Sequence, residues 1–206
     1  MAHILHIDSS ARTQQSFSRK LTREFVETWL KLHPGDTLTY RDLNTTPLPF
    51  LDERWVAAAF SPEQAEEHKM ALTISNLLID ELVAANVLVL GVPVYNLSVP
   101  AIFKAYIDQI VRMGRTTKYT ATGPEGLLKG KQAYVIATSG SDFSQEPLKS
   151  LDHHTPYLKA ILGFVGISDV TFIRHFGHEP QGIEQSLAQA RGHILNHARQ
   201  GLETQI

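Results

Sequence analysis

Leu88-Val89-Leu90-Gly91-Val92-Pro93-Val94-Tyr95-Asn96-Leu97-Ser98-Val99-Pro100 is the stretch on which the fold turns. A short apolar run bounded by a glycine reads as a buried strand, here breaking at Gly91. A polar and aromatic loop follows, and a helix restarts at Pro100. In an open α/β sheet, ligands bind outside the carboxyl ends of the strands. A loop offering Tyr95, Asn96 and several backbone amides there fits a flat, hydrogen-bonding ring. The first strand has a matching exit. His3-Ile4-Leu5-His6-Ile7-Asp8 runs into Ser9-Ser10-Ala11-Arg12-Thr13-Gln14-Gln15-Ser16-Phe17-Ser18, rich in hydroxyls just ahead of an amphipathic helix. That arrangement fits a phosphate. Two neighbouring loops, one for a phosphate and one for a ring, point to a mononucleotide-type cofactor.

Outward from these loops, strand candidates at residues 4–7, 37–41, 87–90, 133–138 and 170–173 alternate with five helical stretches. This is the pattern of a parallel sheet with helices on both faces. Only the second strand alternates polar and apolar residues, so it is expected at a sheet edge, with the other four more buried. The first helix carries Phe17, Leu21, Phe25, Trp29 and Leu32 as one apolar stripe, and His33-Pro34-Gly35-Asp36 ends it in a turn. Ser61, Pro62 and Gln64 form a start signal for a second helix running to about Ala84. Residues 99–103 open a third helix and Thr155-Pro156 a fourth. Segments 42–60 and 114–131 are long for connections in a small domain, which marks them as functional or interfacial. The expectation is one domain spanning residues 1–206, with a sheet compatible with the order 2-1-3-4-5.

Composition narrows the function classes. A formal net charge of −2 gives no electrostatic reason to expect nucleic acid or an anionic membrane as partner. No apolar run approaches the ~18 residues of a membrane helix, and no signal-peptide pattern opens the chain, so a cytoplasmic protein is expected. The absence of cysteine excludes disulfides, thiolate metal sites, iron–sulfur clusters and thiol nucleophiles. Redox chemistry would therefore belong to a bound cofactor. Ten histidines raise the question of metal, but His153-His154 are adjacent and His175-x-x-His178 lacks a spaced carboxylate other than Glu179, so no metal site is expected. Ser139 has no assignable base and no nucleophile-elbow pattern is present. Glu63, Glu66, Glu67 and Lys69 read as a solvated helix face.

Each ligand loop also has a plainer reading. Ser16 or Ser18 can be simply a helix cap, with Arg12 and Arg19 adding charge only if a phosphate is held. No glycine lies between Ser9 and Ser18, so the loop is neither a Walker loop nor a dinucleotide fingerprint. Tyr95 can be a packing residue and Asn96 a turn former. Thr138-Ser139-Gly140-Ser141-Asp142, after the fourth strand, can be an ordinary turn or a close backbone approach to a ligand. Three such loops would converge on one edge of a parallel sheet.

In order along the chain, Ser9-Ser10, Ser16-x-Ser18, Pro93-x-Tyr95-Asn96, Gly123-Pro124-Glu125-Gly126-Leu127, Thr138-Ser139-Gly140 and Leu162-Gly163-Phe164-x-Gly166-Ile167 resemble the FMN-dependent NADH azoreductases, a branch of the flavodoxin-like quinone reductases. The resemblance implies a flavodoxin-like fold and a homodimer with one FMN per subunit. It further implies NADH or NADPH as the electron donor, and quinones and azo compounds as two-electron acceptors taken in a ping-pong sequence. It maps the FMN phosphate onto Ser10, Ser16, Phe17 and Ser18, and the isoalloxazine onto Val94, Tyr95, Asn96 and Leu97. The ring's pyrimidine side falls to Ser139, Gly140, Ser141 and Asp142, and the acceptor pocket to Tyr119 and Phe164. No side chain is assigned as an acid or base. The rival reading is a flavodoxin-like FMN electron carrier that docks a protein partner, against which the near-neutral charge counts.

Overall fold

Five parallel strands carry the architecture: β1 (His3–Asp8), β2 (Thr37–Asp42), β3 (Val87–Pro93), β6 (Gln132–Ser139) and β7 (Asp169–Phe176). The computed structural model describes residues 1–45, 48–61, 65–177 and 179–201. The sheet order is β2-β1-β3-β6-β7, which is 2-1-3-4-5 when only its own strands are counted. A separate antiparallel hairpin, β4 (Thr117–Thr120) with β5 (Gly123–Gly126), lies between β3 and β6 in the chain. β2 stands at one edge, as its alternation predicts. β7 stands at the other; it is half-buried for most of its length, more buried than β2 as expected.

Two apolar layers sandwich the sheet. On one face α1 (Phe17–Leu32) and the C-terminal helix α7 (Pro180–Gln200) bury Leu21, Phe25, Trp29, Ala190 and Ile194 against Ile4, Val89, Tyr134 and Ile136. The helical spacing of the α1 stripe puts its middle on the sheet, while Phe17 and Leu32 at its ends stay partly exposed. On the other face α4 (Thr73–Ala84), α5 (Ala101–Ile110) and α6 (Thr155–Phe164) pack Leu78, Leu82, Phe103, Ile107 and Leu158 on Leu5, Ile7, Leu88, Leu90 and Val135. Among the described residues no helix is long and apolar enough to cross a membrane.

Three sequence expectations change here. β3 does not break at Gly91 but continues to Pro93, paired with both β1 and β6. Glycine is needed at that point for space: a Cβ would stand 2.6 Å from Asp8 Oδ1 and 3.0 Å from Thr22 Cγ2. The single helix expected from Ser61 to Ala84 is two helices, α3 (Glu66–Ala71) and α4, and a further one, α2 (Glu53–Phe60), precedes them. Asp52, not Ser61, supplies the leading cap, accepting from Trp55 N at 2.8 Å. Ser61 instead ends α2 with extended backbone, and Pro62, Glu63 and Gln64 lie outside the described residues. Glu66, Glu67 and Lys69 are exposed, as a solvated face requires. Segment 114–131 is not a loop, since it holds the β4–β5 hairpin. This hairpin docks on the end of α6 through glycines in contact: a Cβ on Gly126 would stand 2.1 Å from Gly166 N and 2.3 Å from Val165 C.

His154, 1% exposed, closes the end of the sheet by donating from Nε2 to the Val92 carbonyl at 3.0 Å. Burial pushes its pKa down to about 4, against the opposing pull of that carbonyl.

Two outcomes are expected. Gly126→Ala forces backbone apart and destabilises the protein by about 2–3 kcal/mol, lowering Tm by roughly 5–10 °C. Gly192→Ala, in open space on α7, leaves Tm unchanged or slightly raised. Thermal unfolding of the two variants checks this. His154 takes up a proton near pH 6.5 when unfolded and only near 4 when folded, so stability falls as pH falls through that window. The loss from this group reaches roughly 3 kcal/mol at its acid end. Urea midpoints at pH 7 and pH 4.5 measure it, and His154→Gln must flatten the dependence.

Candidate functional site

The parallel register delivers the exits of β1, β3 and β6 to one edge of the sheet, where they enclose a cavity of about 430 Å³. Ser10, Ser16 and Phe17 form one wall, Val94 and Tyr95 a second, and Ser139 and Gly140 a third. The volume is that of a small-molecule site.

The first wall is the start of α1. Ser16 caps it with extended backbone, its hydroxyl 3.4 Å from Arg19 N and 3.1 Å from Ser18 Oγ. Gln15 ahead of it takes a left-handed φ of 56°. No acceptor among the described residues takes the N–H of Phe17 or Ser18. Free amides at the N-terminus of a sixteen-residue helix, flanked by hydroxyls, are the kind of donor set that helix N-termini offer to anions. Ser18 itself is buried beneath this turn and does not line the cavity.

The second wall is a two-residue reversal. Tyr95 and Ser98 exchange backbone hydrogen bonds at 2.9 and 3.1 Å, and between them Asn96 and Leu97 take φ of 49° and 70°. Two successive positive φ values make a primed turn, ordinarily occupied by Asn-Gly. Leucine in the left-handed region is strained by about 1–3 kcal/mol, a cost that concentrates at ligand clamps. Asn96 thus has its turn-forming role, and it is exposed at the rim. Its N–H and that of Leu97 have no acceptor among the described residues, though neither residue lines the cavity.

At the third wall, Ser139 turns its hydroxyl inward to the Ser141 carbonyl at 2.6 Å. Asp142 does not line this cavity. Its Oδ1 accepts from Ser144 N at 2.8 Å and Ser144 Oγ at 2.6 Å, and it borders a separate void of about 20 Å³ beneath the loop. Ser141 likewise does not reach the cavity.

Arg19, a candidate for phosphate charge, is committed elsewhere. Its guanidinium forks onto Asp42 at 2.6 and 2.7 Å. That hydrogen bond raises the Arg19 pKa above its ordinary value. Burial pushes the Asp42 carboxyl up, but Arg19 and the Asn44 amide outweigh it and hold it low. Asp8 is balanced the same way: His6, Thr22 and Tyr40 offset the cost of its burial. Arg12 is exposed, borders the cavity and makes no ion pair among the described residues.

Two expected pocket residues are elsewhere. Tyr119 stands 71% exposed on β4, and Phe164 is the last residue of α6, toward the amino-terminal end of the strands. Conversely, His175 and Gly177 at the end of β7 do line the cavity. The His175 ring packs on Phe17 at 4.3 Å between centroids, and burial lowers its pKa. Sequence reasoning weighed His175 only as a metal ligand with His178, which lies outside the described residues. Its position at a strand's carboxyl end was the signal to follow.

A family model described as a flavodoxin-like fold matches residues 2–198. An FMN-dependent NADH:quinone oxidoreductase of Trichormus variabilis is 50% identical over 202 residues, covering 94% of this chain and 97% of its own. The crystal structure of an azoreductase from Bacillus anthracis superposes with a TM-score of 0.90 at 26% identity, over 98% of this chain and all of its own. A second, an FMN-dependent NADH-azoreductase of that organism in complex with FMN, superposes at 0.85 with 26% identity over 96% and 98% of the two chains. With its strand order, its open helix N-terminus and a match along nearly its whole length, the chain belongs to the flavodoxin-like fold family.

Proposed function

We propose that this protein is an FMN-dependent oxidoreductase that passes two electrons from NADH to quinones and aromatic azo compounds. The observation that carries the reading is one cavity walled by the open start of α1 and by the strained Tyr95–Ser98 turn, in a chain half-identical to a named FMN-dependent NADH:quinone oxidoreductase. The residues fit the cofactor: free amides and hydroxyls for a dianionic phosphate, and a flat turn with unpaired N–H groups for a ring edge.

When bound, FMN supplies the hydride chemistry. The protein's share is binding, orientation and electrostatics. The Phe17 and Ser18 amides with the Ser10 and Ser16 hydroxyls hold the phosphate. Val94 and Tyr95 would wall the ring, and the free amides of Asn96 and Leu97 stand in the turn beside that wall, where they would supply donors to a ring edge reaching past the cavity. The Ser139–Gly140 backbone closes the remaining side. Burial lowers the His175 pKa and favours its uncharged ring, which packs on Phe17, and no side chain is cast as an obligatory acid or base.

In this reading donor and acceptor occupy the open ring face in turn. NADPH presents the same nicotinamide as NADH, so the reading extends to it. The protein as isolated is expected to be yellow and to bleach anaerobically with NADH. Initial velocities with NADH and menadione are expected to give parallel double-reciprocal lines, and intersecting lines would remove the shared-face mechanism.

A homodimer belongs to the same proposal. Phe50, Phe60 and Met70 are each more than 70% exposed, and Phe50 and Met70 border a hollow of about 580 Å³ on α2 and α3. Trp55 is not part of that exposed set, because it is 7% exposed and donates to Gln109 Oε1 at 2.9 Å within its own chain. Exposed apolar groups in this number mark an interaction surface. Tyr119 and Phe164 lie outside the chain's own cavity, so they could wall a flavin only in a second copy. Light scattering of the active enzyme is expected to give twice the 23.0 kDa chain mass. A fully active monomer rules the shared site out.

A further inference from the structure

Arg19 sits in the first turn of α1 with its guanidinium reaching back beneath the hydroxyl loop instead of toward the cavity. Nη2 and Nε donate to the Ser10 carbonyl at 2.8 and 3.3 Å. The same carbonyl accepts from Asn44 Nδ2 at 2.8 Å, while Asn44 N donates to Asp42 Oδ1 at 3.0 Å. One peptide oxygen is therefore drawn by two side chains toward the end of β2. A trans peptide is planar, with its C=O and N–H pointing opposite ways. The N–H of that same unit, on Ala11, accordingly points to the other side and donates to the Tyr95 hydroxyl at 3.2 Å. That hydroxyl also lies 3.3 Å from Ser10 Oγ. Both contacts are long, so they depend on how firmly the plane is held.

The charge of Arg19 is already spent. Asp42 takes it in a two-point fork, and Asp8 Oδ2 lies 3.8 Å from Nη1. Turning the guanidinium toward an anion would leave a largely buried carboxylate unpaired, which is costly.

We propose that Arg19, Asp42 and Asn44 form a positioning clamp. By holding the Ser10 carbonyl on the β2 side, they aim the Ala11 amide and the Ser10 hydroxyl at Tyr95. The loop that receives the phosphate is thereby fixed against the loop that receives the ring. The clamp rests on the FMN reading above for its purpose, but its geometry exists without the cofactor. It needs a planar two-point donor, so lysine cannot replace Arg19.

The test uses apo-protein titrated with FMN, together with amide exchange at Ala11 before FMN is added. Arg19→Lys and Asp42→Asn are each expected to weaken FMN binding by about 10- to 100-fold, the scale of one or two charge-assisted hydrogen bonds. Asn44→Ala, at an exposed residue, is expected to weaken it by about 3- to 10-fold with Tm unchanged, which keeps the test open if the buried variants unfold. All three are expected to speed Ala11 exchange. Asn44→Ala and Tyr95→Phe are expected to be non-additive, a coupling that a general loss of structure would not produce. If Arg19 instead contacts the phosphate directly, Asp42→Asn frees it and tightens FMN binding; that sign overturns the clamp. Unchanged Ala11 exchange in Asn44→Ala and Asp42→Asn overturns it as well. A wild-type protein with no FMN affinity overturns the functional reading, and the exchange measurement then decides the clamp alone.

Discussion

Asp8, the last residue of β1, faces Gly91 of its parallel neighbour β3, and the site is built on that contact. The absence of a side chain at Gly91 leaves room for a buried carboxylate between β1, β3 and α1. Such a charge needs partners drawn from every element around it. Thr22 of α1 donates to Oδ1 at 2.9 Å and Tyr40 of β2 to Oδ2 at 3.1 Å, so one side chain ties together two strands and a helix. Ser9, next in the chain, gives both its N–H and its hydroxyl to the Gly91 carbonyl at 3.1 and 2.7 Å. The β1 exit cannot drift from the β3 exit, and Ser10 is left within reach of Tyr95.

The electrostatics of the cavity follow from the same economy. Arg19 is neutralised by Asp42, Asp142 is closed on its own turn, and His175 is driven toward its neutral form. What remains facing the cavity is a set of neutral donors, helix amides and hydroxyls, with Arg12 as an exposed cation at the rim. Neutral donors act only at hydrogen-bond range, whereas a charge acts over the Debye length. Affinity in such a site depends on where the peptide planes are held, and the protein commits a buried salt bridge to holding one of them.

The two long excursions are finished elements that leave apolar groups exposed on their outer side. Segment 42–60 uses Trp55 to close on α5 and presents Phe50, Val56 and Phe60 outward. Segment 114–131 spends its glycines on contact with α6 and presents Tyr119.

By itself the sequence determined the five strands, the edge position of β2, the α1 stripe and the three exits at one edge. Period-2 and period-3.6 patterns, caps and turn residues act between chain neighbours and can be read there. It also marked Ser10, Ser16, Phe17, Val94, Tyr95, Ser139 and Gly140, all of which stand on the cavity. Tertiary structure decided the rest. It decided that β3 runs through Gly91, that Asp142 serves its own turn, that Arg19 serves Ser10 and Asp42, and that His175 joins the site. For Arg19 the physical reason is that a polar side chain goes to whichever partner spares it burial unpaired, and Asp42 stands 23 residues away in sequence; for Gly91 and His175 it is packing against elements distant in the chain.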